Sequence, residues 1–97
     1  MYEIDFTQSA RQDFKVLRKF AQQLVLDGID EQLPFEPLVE TLNRKRLEPN
    51  DISEWELRLG KYRVLYDVEE QVKRVVIRAI GYKVGSDLYI RGERREL

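Results

Sequence analysis

Apolar and polar residues alternate one for one at the start of the chain, with Tyr2, Ile4 and Phe6 interleaved by Glu3 and Asp5. That period of two predicts a short strand over 2–6. The period then lengthens. Phe14, Leu17, Ala21 and Leu24 recur at helical spacing and Phe20 widens the same stripe, which predicts a helix with this face against a sheet. Ser9 with Gln12 three residues later has the form of a capping box opening that helix. Asp27-Gly28 is expected to break or bend it, leaving Ile29 to Leu33 as a short second piece that Pro34 ends.

Residues 34–53 hold all three prolines and the cluster Asn43-Arg44-Lys45-Arg46. They read as an irregular connection with at most a short extended piece around Leu42 to Leu47. After Ser53 the period of two returns. Trp55, Leu57 and Leu59 alternate with Glu54, Glu56 and Arg58, and Tyr62, Val64, Tyr66 and Val68 form a second apolar series. Gly60-Lys61 between them suits a two-residue II′ hairpin turn. Asp67 to Lys73 predicts a looser turn, Arg74 to Ile80 a buried β-branched strand, and Asp87 to Arg91 a last short one. A strand, one or two helices and then an antiparallel meander make a single α+β domain over residues 1–97 with the helices on one face of the sheet.

The turn sets a register. Leu59 faces Tyr62, Leu57 faces Val64 and Trp55 faces Tyr66, so six apolar side chains point to one side; a slip by one residue would mix the faces. Trp55, Leu57, Val64, Tyr66, Val75 and Ile77 are therefore expected to be buried against Phe14, Leu17, Ala21 and Leu24. On the other face Arg58 stands opposite Arg63 and Glu56 opposite Leu65. Two arginines so placed repel. Either they are solvated or they gather an anion such as a phosphate. Tyr82 and Tyr89 lie near Arg78, Lys83 and Arg91, a neighbourhood that suits a phosphodiester or a plain polar rim equally well.

Composition narrows the chemistry. Among 97 residues there is no cysteine and no histidine. That removes disulfides, thiolate nucleophiles and zinc ribbons, and it leaves a transition-metal site without its usual ligands. Acid–base work would fall to Glu, Asp, Lys, Arg or Tyr. The net charge of −1 hides an asymmetry: residues 1–56 carry 7 basic and 12 acidic side chains, residues 57–97 carry 10 and 6. The C-terminal part is thus able to present a positive face to an anion. The N-terminus shows no signal-peptide pattern and no apolar run is long enough to span a bilayer, so a cytoplasmic protein without a membrane role is expected.

Two stretches carry a family likeness: Tyr2 to Ala10 opening into a helix, and Trp55-Glu56-Leu57-Arg58-Leu59-Gly60-Lys61-Tyr62-Arg63-Val64-Leu65-Tyr66 followed by a strand ending in Ile80-Gly81-Tyr82-Lys83. Together they resemble the RelE/ParE superfamily of bacterial toxins from type II toxin–antitoxin systems, over nearly the whole chain. The resemblance implies a helical hairpin packed on a curved antiparallel sheet, no cofactor, and a cognate antitoxin that wraps the toxin. RelE-type members cut messenger RNA on the ribosome by attack of the ribose 2′-hydroxyl on the adjacent phosphate. ParE-type members share the fold but poison DNA gyrase.

By the RelE pattern Arg63 falls on the strand arginine that contacts the scissile phosphate, Lys83 on an arginine with similar work, and Tyr89 on a tyrosine that stacks on or orients the substrate. Two strand lysines of that pattern stand here as Glu54 and Glu56, and Glu56 becomes a candidate base. A YoeB-like branch takes its base from a glutamate in the preceding connection, where this chain has Lys45. Arg44, Lys45, Arg46 and Arg58 are candidate substrate contacts. The leading expectation is a metal-independent endoribonuclease acting on ribosome-bound messenger. The alternatives are a gyrase-binding toxin and a degenerate member that only binds its antitoxin.

Overall fold

The computed structural model describes all 97 residues. The chain runs through β1 (Glu3–Phe6), α1 (Gln8–Lys15), α2 (Lys19–Gln32), β2 (Arg44–Arg46), β3 (Trp55–Leu59), β4 (Tyr62–Glu69), β5 (Arg74–Val84), β6 (Asp87–Ile90) and β7 (Glu93–Arg95). Strands β2 to β7 form an antiparallel path in chain order. β1 joins it differently, lying parallel to the first half of β5, with Ile4 opposite Val75 and Phe6 opposite Ile77. The place is open because β6 pairs only with the far end of β5, from Tyr82 to Val84. No helix is long and apolar enough to cross a membrane.

The β3–β4 hairpin has the register read from its alternation: Leu59 opposite Tyr62, Leu57 opposite Val64, Trp55 opposite Tyr66. Gly60 has φ +60° while Lys61 does not enter the left-handed region, as a II′ turn requires. The apolar face of this hairpin continues through Val75, Ile77 and Ile80 and meets Ala10, Ala21, Val25, Ile29 and Leu33 of the helical layer. Trp55 and Tyr66 stack within it with centroids 6.1 Å apart. Burial pushes the Tyr66 phenol far above its ordinary range, against a smaller opposing pull from Arg44. Its hydroxyl donates to the Pro37 carbonyl at 2.7 Å, so it serves as a tie to the connection and not as an acid.

Several local expectations need correction. The first helix is capped by Thr7, whose hydroxyl accepts from Ala10 N, two residues before the expected Ser9. The predicted single stripe is interrupted at residues 16–18, where α1 ends and α2 begins. Past that break the buried face is Ala21, Val25 and Ile29, one residue later than the Phe20 and Leu24 positions, which are exposed. Phe14 and Leu17 remain packed against the core. Asp27-Gly28 does not break α2. Gly28 is buried beneath Leu59, and a Cβ there would run into the Leu59 Cδ methyls, so the glycine serves close packing. β4 runs on to Glu69, β5 to Val84, and β7 adds a strand that no apolar alternation announced.

The second face of the sheet is not bare. Leu65, Ala79, Leu88 and Ile90 form a smaller cluster there, covered by Leu47, Ile52 and Leu97. The 2.6 Å ion pair between Arg95 and Asp51 ties the C-terminal strand to the loop that covers it.

Candidate functional site

Alternation decides which candidate residues meet. Lys45 pairs with Glu56, Arg58 with Arg63, and Arg63 with Gly81, two residues before Lys83. Directly opposed residues share a face, as do residues two apart on one strand. Lys45, Glu56, Arg58, Arg63 and Lys83 therefore stand together on the face turned away from the helices.

Glu56 is the centre of the group. It is only 5% exposed, and Arg58 Nε donates to its Oε1 at 2.7 Å. Arg63 Nε lies 3.9 Å from the same oxygen, an ion pair without a hydrogen bond. The two arginines are thus not simply solvated: a carboxylate lies between them and offsets their repulsion. Arg63 Nη1 also donates to the carbonyls of Gly60 and Tyr62, at 2.6 and 2.9 Å, which fixes the guanidinium over the hairpin turn. Its Nε is buried without a hydrogen-bond partner. Glu56 and Lys83 line one cleft of about 280 Å³, walled by Arg94, Arg95 and Leu97. Lys83 Nζ reaches only the Ser86 carbonyl, at 3.4 Å, and is otherwise available.

Other candidates lie elsewhere. Tyr89 pairs with Tyr82 and their rings stack at 5.8 Å, on the helix side of the sheet. The sheet separates it from Arg63 and Lys83. Arg44 points into the protein: it is 6% exposed, with Nε donating to the Val39 carbonyl and Nη1 to Gln32 Oε1, both at 2.9 Å. It anchors the connection after α2 and is closed to a substrate. Arg46 lies over the Trp55 ring at 5.9 Å and 3.8 Å from the exposed Glu54. Of the basic triplet, only Lys45 reaches the face that holds Glu56. Arg95, which composition alone did not single out, joins the cleft because β7 folds back beside β6.

A buried carboxylate held by two guanidiniums, with a free ammonium in the same cleft, can take a proton and offset developing negative charge at one place. Comparison with known proteins supplies the class. The family model described as ParE toxin of type II toxin-antitoxin system, parDE, matches residues 4–83. The chain belongs to that family. Among solved structures, the RelBE2 toxin–antitoxin complex of Mycobacterium tuberculosis includes a chain 28% identical, with a TM-score of 0.73 and coverage of 84% of this chain and 98% of that one. The archaeal RelE–RelB complex of Pyrococcus horikoshii gives 26% identity, a TM-score of 0.66 and coverage of 81% and 91%. The isolated E. coli RelE toxin, at 23% identity, a TM-score of 0.69 and coverage of 87% and 86%, shares the fold. Among curated proteins none matches.

Proposed function

We propose that this toxin is held in check by a cognate antitoxin and, when free, cuts messenger RNA on the ribosome in the cytoplasm. The observation that carries the reading is the position of Glu56, which is buried beside Arg58 and Arg63 and lines a cleft together with Lys83. The Glu56 carboxylate takes the proton of a ribose 2′-hydroxyl, and that oxygen attacks the adjacent phosphorus. The bond from phosphorus to the 5′-oxygen breaks, leaving a 2′,3′-cyclic phosphate. Lys83 gives a proton to the departing 5′-oxygen, and solvent restores both groups. Arg63, whose Nη2 forms no hydrogen bond within the chain, offsets charge on a nonbridging oxygen. The step needs no metal, and it needs the catalytic carboxylate within hydrogen-bond reach of the hydroxyl.

One observation favours a second reading. Tyr89 lies across the sheet from the cluster, which suits a ParE-type toxin that binds gyrase and cuts nothing. The two are separated by incubating the free toxin with ribosomes programmed with a defined messenger, beside a gyrase supercoiling assay. Cleavage in the decoding site with supercoiling intact supports the nuclease. Loss of supercoiling with the messenger whole supports the binding toxin.

A further inference from the structure

Between Ile77 and Tyr82, strand β5 has a neighbouring strand on one edge only. That edge pairs with β4, whereas the other pairs with β1 from Arg74 to Ile77 and with β6 from Tyr82 to Val84. The ladder to β4 also slips here, so that Arg78 has no opposite residue. Side chains fill the gap. Buried Asp13 of α1 accepts from Ile80 N at 3.1 Å through Oδ2 and from Arg91 Nε at 3.0 Å through Oδ1. Arg91 Nη2 donates in turn to the Arg78 carbonyl at 3.2 Å, which the Thr7 hydroxyl also reaches at 3.4 Å. A carboxylate and a guanidinium thus satisfy backbone groups that a strand would otherwise pair.

Arg91 reaches this place in a disfavoured conformation. It has φ +53° and Gly92 φ +79°, the two left-handed residues of a type I′ turn between β6 and β7. Glycine, asparagine or aspartate suits the first of those positions, and an arginine does not. Such strain persists where the surrounding contacts over-determine it, and it points to a task for the residue that bears it. The task follows from what the hairpin carries. β7 and the residues after it wall the cleft of Glu56 and Lys83. β6 joins β5 through three residue pairs, Lys83 with Leu88 among them. A Cβ at Gly81 would run into the Tyr89 carbonyl, so the two strands cross in close contact just before Lys83. Beyond that crossing, Arg91 pins the turn end of the hairpin to α1 and β5.

We infer that Asp13 and Arg91 are positioning residues for the cleft: they fix the angle at which β6–β7 leaves the sheet, and thereby the place of Lys83 relative to Glu56. The inference rests on the nuclease reading above. Both residues line a separate depression between α1 and β5, and neither borders the cleft, so they act through the hairpin and not on the substrate. A displacement of about 1 Å at a reacting group costs about 100-fold in rate, which gives a remote strut its leverage.

The test uses the full chain. Arg91→Gly removes the strut and gives the turn the residue its backbone favours, so thermal melts should show the variant folded. On ribosomes programmed with a defined messenger its kcat should fall about 10–100-fold, with KM within about twofold of wild type. Arg91→Lys pairs with Asp13 but cannot hold the Arg78 carbonyl as well, and should recover part of the loss. In a Lys83→Ala chain, Arg91→Gly should lower kcat by less than about twofold, because the group it positions is already gone. Hydrogen exchange reads the strut apart from activity: amides of β6 and β7 should exchange about tenfold faster or more in Arg91→Gly, and those of β3 and β4 at the wild-type rate. A wild-type kcat in Arg91→Gly overturns the inference. So does an equal fall in the wild-type and Lys83→Ala chains, which would make the pair a general support of the fold. A rise in KM alone overturns it by making Arg91 a substrate contact, and unchanged exchange in β6 and β7 overturns the strut itself. If the wild-type chain cuts no messenger, the nuclease reading falls, and the inference with it.

Discussion

Glu56 accepts a hydrogen bond at 2.7 Å from Arg58, its neighbour two positions along β3. Strand geometry brings residues i and i+2 to one face, and the hairpin register then adds Arg63 from the opposite strand. The carboxylate is buried and Arg58 is half exposed, so the pair is asymmetric. Removing the arginine takes away the one hydrogen-bond donor that the buried carboxylate has within the chain. Arg58→Ala should lower stability by roughly 1–3 kcal/mol, measured by urea denaturation.

Arg63 is held in a different way from Arg58, although the two stand opposite each other. Its side chain is only 14% exposed and holds two turn carbonyls. Arg63→Ala should cost roughly 1–3 kcal/mol, seen as a lower midpoint in denaturant with an unchanged slope. A neutral effect on stability would mean that the hairpin turn does not depend on it.

Arg44 and Lys45 are adjacent in the chain and face opposite ways. Arg44→Ala should lose roughly 1–3 kcal/mol of stability, since the Val39 carbonyl and Gln32 are left without their donor, while cleavage per folded molecule is kept. Lys45→Ala should do the reverse, slowing cleavage with the melt almost unchanged. Swapped outcomes would place the wrong residue on the site face.

Gly28→Ala should destabilise by about 1–3 kcal/mol, because the new methyl meets Leu59 Cδ2 and the core must give way. Combining it with Leu59→Ala should recover part of that loss in a double-mutant cycle, since the two sites share one contact. Additive losses would show that Leu59 is not what requires the glycine.

Tyr89→Phe should leave cleavage unchanged, because the phenol stacks on Tyr82 on the far side of the sheet from Arg63. Tyr89→Ala should cost about 0.5–1.5 kcal/mol of stability from the lost stacking. A large fall in cleavage for Tyr89→Phe would mean that the ring reaches the site by another path.

The hairpin was legible in full, because two strands of opposite phase and a two-residue turn over-determine one register. The helical layer was not. Val16, Leu17 and Arg18 are all compatible with a helix, and the break between α1 and α2 is marked only by contacts such as Gln22 Nε2 donating to the Phe14 carbonyl. Gly28 read as a breaker because the reason for it, Leu59, lies 31 residues away in the chain. β7 carries Glu93-Arg94-Arg95, which has no apolar alternation to betray a strand. At the site, the shared face of Glu56, Arg58 and Arg63 follows from the register alone. The burial of Arg44 does not, because a charged triplet reads as exposed until its partners Val39 and Gln32 are in place.

In the proposed reaction Glu56 is the base that takes the 2′-hydroxyl proton. Glu56→Gln keeps a polar group of the same shape between the arginines, so the variant should remain folded while losing roughly 1–3 kcal/mol of stability. On ribosomes programmed with a defined messenger, and with the folded fraction fixed by thermal melts, its cleavage rate should fall about 100–10,000-fold below wild type. Equal rates for the two folded proteins would remove Glu56 from the chemistry.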